Sequence, residues 1–328
     1  MKKSLTKTLR FILLGFLLVL LAKLSIPYFE SYVLANDARK NGFALNPSLV
    51  PNDKILQGGP PKDGIPAILE PKFIGSAEAR KSFSKKERSI VVRWKSTIKA
   101  YPISILNWHE IVNDKIEGDS IVITYCPLCG TGIVFNANIN GKPHTFGVSG
   151  LLYQSDVLLY DHQTESLWSQ IMRKAVTGKY LGNELQMVGS EIKNLHDQIE
   201  SYPNTQVLSK QTGLKGVFRN YDKDPYEGYT ETESLYFPVD RSSLKTGVPL
   251  KDWSIIILAL EDPIIVPLSS LPKNQTQVSI PSKNGDIELK YDHKKRLLSC
   301  VDATVECLTG YYFALQAFHP NAKVVSLQ

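Results

Sequence analysis

From Ser89 onward the apolar residues come in short runs of four to six, each closed by turn-forming residues. That rhythm suits strands and leaves little room for long helices. Ser89-Ile-Val-Val-Arg-Trp94, Ser120-Ile-Val-Ile-Thr-Tyr125 and Gly132-Ile-Val-Phe135 read as three strands. Asn140-Gly141 is a dipeptide that tolerates the left-handed backbone of a tight hairpin turn, and it leads into His144-Thr-Phe-Gly147. One segment keeps a different period. After Ala100-Tyr-Pro102, residues Ile103 to Val112 space their apolar side chains as a helix does. Upstream, Gly58-Gly-Pro-Pro61, Gly64-Ile-Pro66 and Pro71 make residues 41–75 an ordered, wrapping loop region.

A similar order returns near the C-terminus. Ser254-Ile-Ile-Ile-Leu-Ala259 reads as a strand, and Ile265-Val-Pro-Leu-Ser-Ser-Leu271 matches Ala100-Tyr-Pro-Ile-Ser-Ile-Leu106, with Pro267 against Pro102. Asp286-Ile-Glu-Leu-Lys-Tyr291 then answers Ser120 to Tyr125 at nearly the same offset. The expectation is a mainly β, α+β fold of two related β-rich lobes from a diverged internal duplication. The first lobe is placed at about 85–150 and the second at about 251–320. The connecting region, about 150–250, holds a helical stretch at Ile192 to Ile199 and polar loops from Arg219 to Thr232.

The N-terminus carries a different signal. Lys2, Lys3, Lys7 and Arg10 form a basic head before the apolar run Phe11 to Ala22, which Lys23 interrupts and Leu24-Ser-Ile26 resumes. No polar face interrupts the run and no small-x-small cleavage site lies close behind it, Ala35 being distant. Residues 1–30 are therefore expected to be an uncleaved, single-pass signal anchor, with the basic head inside and the main domain outside the cytoplasmic membrane. This head also explains the net charge of +6. Of 38 basic residues, five precede the first acidic residue, Glu30, leaving 33 against 32 acidic ones. A near-neutral body has no long-range field to gather phosphates, so nucleic acid is excluded as a partner. A chain that is 43% hydrophobic can bury a full core, which excludes a disordered chain and a disulfide-stapled miniprotein.

The densest chemical signal is Tyr125-Cys-Pro-Leu-Cys-Gly130, between two expected strands. Pro127 and Gly130 favour a tight knuckle that turns the sulfurs of Cys126 and Cys129 to one side. Such a knuckle supplies two ligands of a zinc or iron site, and two thiolates with a histidine would accept zinc or copper. His109, beside Glu110 on the preceding segment, is the candidate third ligand; His319, after the expected aromatic strand Tyr311-Tyr-Phe313, is a further candidate. A redox dithiol and a passive structural pair are the alternatives. Cys300 and Cys307 are expected to form a disulfide across a short hairpin whose turn centres on Ala303 and Thr304. The segment Ser149 to Gln170 interleaves apolar residues with Asp156, Asp161, Glu165 and Gln170, which are candidates for acid–base work. Turn-forming roles explain the same residues.

Taken together, Ala100 to Asn113, Tyr125-Cys-Pro-Leu-Cys-Gly-Thr-Gly132, Phe146 to Tyr153, Gln163 to Gln170 and Gly58 to Pro66 resemble domain-of-unknown-function family 3179, over roughly residues 41–320. The resemblance implies exported or membrane-anchored prokaryotic proteins. It carries Cys126, Cys129, His109, Asp156, Asp161, Trp168, Gln170 and His319 onto family motif positions. His162 departs from the pattern, where arginine is usual, and His144 lies outside it. Two functions are expected on these grounds: an extracytoplasmic protein with a Cys/His metal or thiol-redox site, or a non-catalytic binding or scaffolding protein whose cysteine pair is structural. Its protein or small-molecule partner is not specified by these residues.

Overall fold

A proline ends the second strand of two hairpins and starts a helical turn after each. Pro102 closes Thr97–Pro102 and leads into the helix Ile103–His109; Pro267 closes Ile264–Pro267 and leads into the 3-10 turn Leu268–Ser270. Proline has no N–H to extend a ladder, and its fixed φ suits entry into a helical turn. A computed structural model of the chain describes residues 39–326 apart from 215, 217, 283, 284 and 303. The anchor expected over residues 1–30 and Ala303 lie outside the described residues. Among the described residues no helix is long and apolar enough to cross a membrane.

The chain runs the same course after both prolines. A three-stranded meander comes after the first, through Ile111–Ile116, Asp119–Cys126 and Thr131–Asn136; a second comes after the other, through Gln277–Ile280, Ile287–Asp292 and Leu297–Cys300. A strand then returns to the hairpin: Ser190–Asn194 lies antiparallel on Arg88–Trp94, and Cys307–Tyr311 lies antiparallel on Trp253–Ile257. Each returning strand passes directly into a helix, Leu195–Ser201 or Tyr312–Phe318. Each helix delivers a short strand parallel to the proline-ended one, Gln206–Leu208 or Lys323–Val324. The registers agree as well. Ser89 pairs with Pro102 as Ser254 pairs with Pro267, and Val207 pairs with Ala100 as Val324 pairs with Ile265. Even the helix entries match: Leu195 N–H donates to Glu87 C=O at 2.8 Å, and Tyr312 N–H to Asp252 C=O at 2.9 Å.

Between the first meander and its returning strand stands an extra sheet of Phe146–Tyr153, Asp156–Asp161, Leu167–Ser169 and Lys174–Ala175, edged by Ile55–Gln57. The lobe expected at about 85–150 thus closes only with residues 190–208. The Gly/Pro-rich segment wraps the extra sheet, where Phe43, Leu45, Val50 and Ile55 pack on Leu151, Leu158 and Leu167 in a small core of their own. A larger core joins everything else. Among the described residues the fold is mainly β with four short α-helices, and its five principal sheets resemble a five-bladed propeller.

Two local expectations change. Tyr311-Tyr-Phe313 is a strand-to-helix junction and not one strand, because Tyr312 opens the last helix. The disulfide Cys300–Cys307 is present, but it closes no hairpin. Cys300 pairs with Leu289 in the second meander and Cys307 with Ile257 in the neighbouring sheet, so the bond staples two sheets together.

Candidate functional site

Cys126 is the last residue of its strand and pairs with Thr131, so the four residues between them form the turn that carries Cys129. Gly130 makes the turn feasible. Its φ is +66°, and a Cβ there would come within 2.8 Å of Trp253 Cζ3 and 3.1 Å of Tyr311 Cζ. Opposite the knuckle stands the two-residue turn Gln154-Ser155, between the paired Tyr153 and Asp156 of the extra sheet. The Ser155 carbonyl accepts from the Cys129 thiol at 3.3 Å and from the Cys126 thiol at 3.7 Å. The next residue completes a group, for the two sulfurs and a carboxylate oxygen of Asp156 lie within 4.8 Å of one another.

Three residues beside this group hold left-handed backbones without being glycine: Gln154 at φ 53°, Ser155 at φ 63° and Glu110 at φ 55°. Each costs about 1–2 kcal/mol in a residue with a Cβ, and such strain gathers where surrounding bonds enforce it. Here Ser155 Oγ donates to Phe237 C=O at 2.7 Å, and Gln154 Oε1 accepts from Asp240 N–H at 2.7 Å. Glu110 caps the helix Ile103–His109, and its carbonyl accepts the Tyr125 N–H at 2.7 Å, which ties it to the strand ending at Cys126.

The electrostatics are one-sided. Cys126 is 1% exposed, Cys129 and Asp156 are fully buried, and Glu110 is buried beside them. Burial pushes both thiols up. It pushes the Asp156 carboxyl to about 7 and, with the Asp156 charge adding to it, the Glu110 carboxyl to about 8. No lysine or arginine among the described residues offsets these four acids. Asp156 Oδ2 accepts from Ile171 N–H at 3.1 Å, while Oδ1 is buried and meets no donor in hydrogen-bond geometry. A buried acidic group of this kind is neutral while it keeps its protons and needs a cation once it loses them. Aromatic residues close the roof. Tyr229 Oη donates to Leu128 C=O at 3.2 Å, the Tyr226 phenol lies near Glu110 and Cys126, and Tyr311 N–H donates to Cys129 C=O at 2.7 Å.

The other candidates lie elsewhere or are already engaged. His109, the expected third ligand, places Nδ1 2.7 Å from Pro66 C=O and Nε2 2.7 Å from Tyr221 Oη. Both ring nitrogens are taken, and Asp156 stands in the position expected of it. Asp161 accepts from Thr164 N–H at 2.7 Å and from Trp168 Nε1 at 3.0 Å, which makes it the brace of its own turn. Gln170 is buried, accepting from Thr131 Oγ1 at 2.6 Å and donating to Thr124 Oγ1 at 2.9 Å, and so locks the knuckle's outgoing strand. Glu165 is exposed and paired with Lys62 at 2.5 Å. His319 caps the last helix, stays outside the thiol group, and is held by burial at a pKa of about 4, with an unpartnered Nε2. Sequence reasoning passed over Glu110, Ser155 and the roofing tyrosines. The only signal for Glu110 was its place beside His109.

Residues 62–308 match the family described as protein of unknown function (DUF3179). No curated protein and no solved structure matches the chain.

Proposed function

The chain belongs to the DUF3179 family, and from that premise we propose that it is a membrane-anchored extracytoplasmic protein that binds one zinc ion through Cys126, Cys129 and Asp156. One observation carries the reading: two thiols and a carboxylate converge within 4.8 Å, buried, with no positive side chain among the described residues to offset them. The donor set fits zinc, which takes thiolate and carboxylate together, better than copper(I), which prefers sulfur alone. The unpartnered Asp156 Oδ1 supports the same fit. Three protein donors leave a fourth position for a water or an exchangeable ligand, while Glu110 stands by to hold a proton. The basic head and apolar run supply the anchor, and the Cys300–Cys307 disulfide suits an oxidising compartment. The two lobes are read as copies of one duplicated unit, which their shared strand order and register support.

A structural reading of the cysteine pair draws on the complete burial of both thiols, and the same experiment separates the two. Protein purified without chelator should carry zinc at one equivalent per chain. Cys126→Ser, Cys129→Ser and Asp156→Asn should each lose most of it, and His109→Gln should keep it. Copper in place of zinc would correct the metal. Metal-free protein throughout, folded and indifferent to these substitutions, would leave the structural reading standing.

A further inference from the structure

Beside the thiol group, but lined by other residues, lies a cleft of about 450 Å³ between the helix Ile103–His109, the segment 83–88 and the loop 221–224. Its acids are already committed. Glu87 Oε1 accepts from Ser104 N–H at 3.0 Å, Asp222 pairs with Lys210 at 2.6 Å, and Asp224 Oδ1 accepts from Asn107 Nδ2 at 3.0 Å and Tyr226 N–H at 2.9 Å. Its other cations are not. Among the described residues neither Lys86 nor Lys223 is ion-paired, and Nη1 of Arg88 is buried with no hydrogen-bond partner.

Arg88 is held by stacking. Its guanidinium carbon lies 4.8 Å from the centre of the Trp253 ring, and Arg88 and Trp253 occupy the same register position in their two lobes, opposite Asn194 and Tyr311. The Trp253 indole N–H is likewise buried without an acceptor, in a side chain that is 2% exposed. Two unsatisfied donors thus belong to one stacked pair of side chains where the lobes meet, and each costs roughly 1–3 kcal/mol while it lacks an acceptor. Arg88 is also close enough to Tyr125 and Tyr311 to favour their ionised forms against burial, so its charge acts on the wall of the thiol group.

We propose that this cleft binds a small molecule through an oxyanion, carboxylate or phosphate, which Arg88 holds in its planar fork while Lys86 and Lys223 supply charge at the rim. The site does not depend on the zinc reading, because none of its residues is a thiol or a ligand proposed for the metal. Direct titration of the full chain with inorganic phosphate and with acetate, at constant ionic strength, tests it by calorimetry and by tryptophan fluorescence. Saturable binding of one probe is expected, the stronger arm telling phosphate from carboxylate. Arg88→Gln should weaken it by about tenfold or more, the loss of a charge-assisted fork. Lys223→Gln, on the exposed rim, should weaken it severalfold in a protein that folds normally. Trp253→Phe should remove the fluorescence change while calorimetry still reports binding. The double variant Cys126→Ser, Cys129→Ser should bind as the parent does, even if no metal is ever found. Absence of saturable binding by both probes, or equal binding by parent, Arg88→Gln and Lys223→Gln, would overturn the proposal.

Discussion

The two lobes share a turn and use it for opposite purposes. In the first, Cys126 pairs with Thr131 across Pro-Leu-Cys-Gly; in the second, Asp292 pairs with Leu297 across His-Lys-Lys-Arg. The left-handed residue falls at the same step, Gly130 at φ 66° and Arg296 at φ 51°. The backbone therefore accepts either residue. What demands glycine in the first turn is the contact above it, since Trp253 and Tyr311 of the second lobe sit where a Cβ would go. The second turn has no such cover, and Lys294 and Lys295 are exposed. The lobes differ again after the meander. The first carries an extra sheet there, whose Gln154-Ser155 turn brings Asp156 to the sulfurs; the second passes from Cys300 to Cys307 with a disulfide across seven positions. Among the described residues, the buried group of thiols and a carboxylate lies in the lobe that the other one covers.

The sharpest way to break this contrast is through protons. Glu110 and Asp156 have folded-state pKa values of about 8 and about 7, above their ordinary 4.5 and 3.8. Between pH 4 and 8 the folded chain holds protons that the unfolded chain releases, so metal-free protein should lose stability as pH rises through that window. Below pH 4 both states are protonated and the effect vanishes. Each carboxyl should contribute on the order of 4 kcal/mol of that loss across the window, read by denaturant unfolding in chelator, and Glu110→Gln should remove its share. A flat profile in the parent protein would mean that these carboxyls are not buried as described.

A smaller effect tests the turn itself. Gly130→Ala adds left-handed strain and a clash with Trp253, and should cost about 3 kcal/mol. Arg296→Gly, at the matching step, should change stability by less than about 1 kcal/mol. Equal costs at both positions would remove the argument that cover, and not turn geometry, selects the glycine. Smallest is the staple. Replacing Cys300 and Cys307 by serine opens a short loop, for which chain entropy gives about 2–3 kcal/mol. The melting temperature should fall while metal content stays unchanged; loss of metal as well would tie the staple to the site.

Much of the scaffold was readable because strands write a short period and prolines mark where they stop. Ser89 to Trp94 and Ser120 to Tyr125 are strands within a residue of where alternation and composition place them. Pro102 and Pro267 stood out in the sequence because each does the same mechanical job, ending a strand and starting a helical turn. The site was half readable. The knuckle is local, so spacing revealed it, but its third member comes from a hairpin turn that only the folded sheet brings near. His109 misled for a related reason. A one-residue step around a helix end separates it from Glu110, and that step aims the buried His109 at Pro66 and Tyr221 while Glu110 lies close enough to Cys126 for its charge to act there. Adjacency in the chain carries no direction. Tyr311 to Phe313 misled because aromatic residues favour strands, whereas here they straddle a junction whose helical side is buried on the second lobe.

The Tyr311 N–H that reaches the Cys129 carbonyl also sets a clock. The chain is made from its N-terminus, so the knuckle and the Asp156 turn exist before residues 307–311 do. Until that last strand pairs with Trp253–Ile257, the thiol group lacks the part of its roof that Tyr311 supplies. On the zinc reading, an ion that enters without displacing that strand would arrive in that interval. On that reading, occupancy would then record the surroundings in which the chain folded.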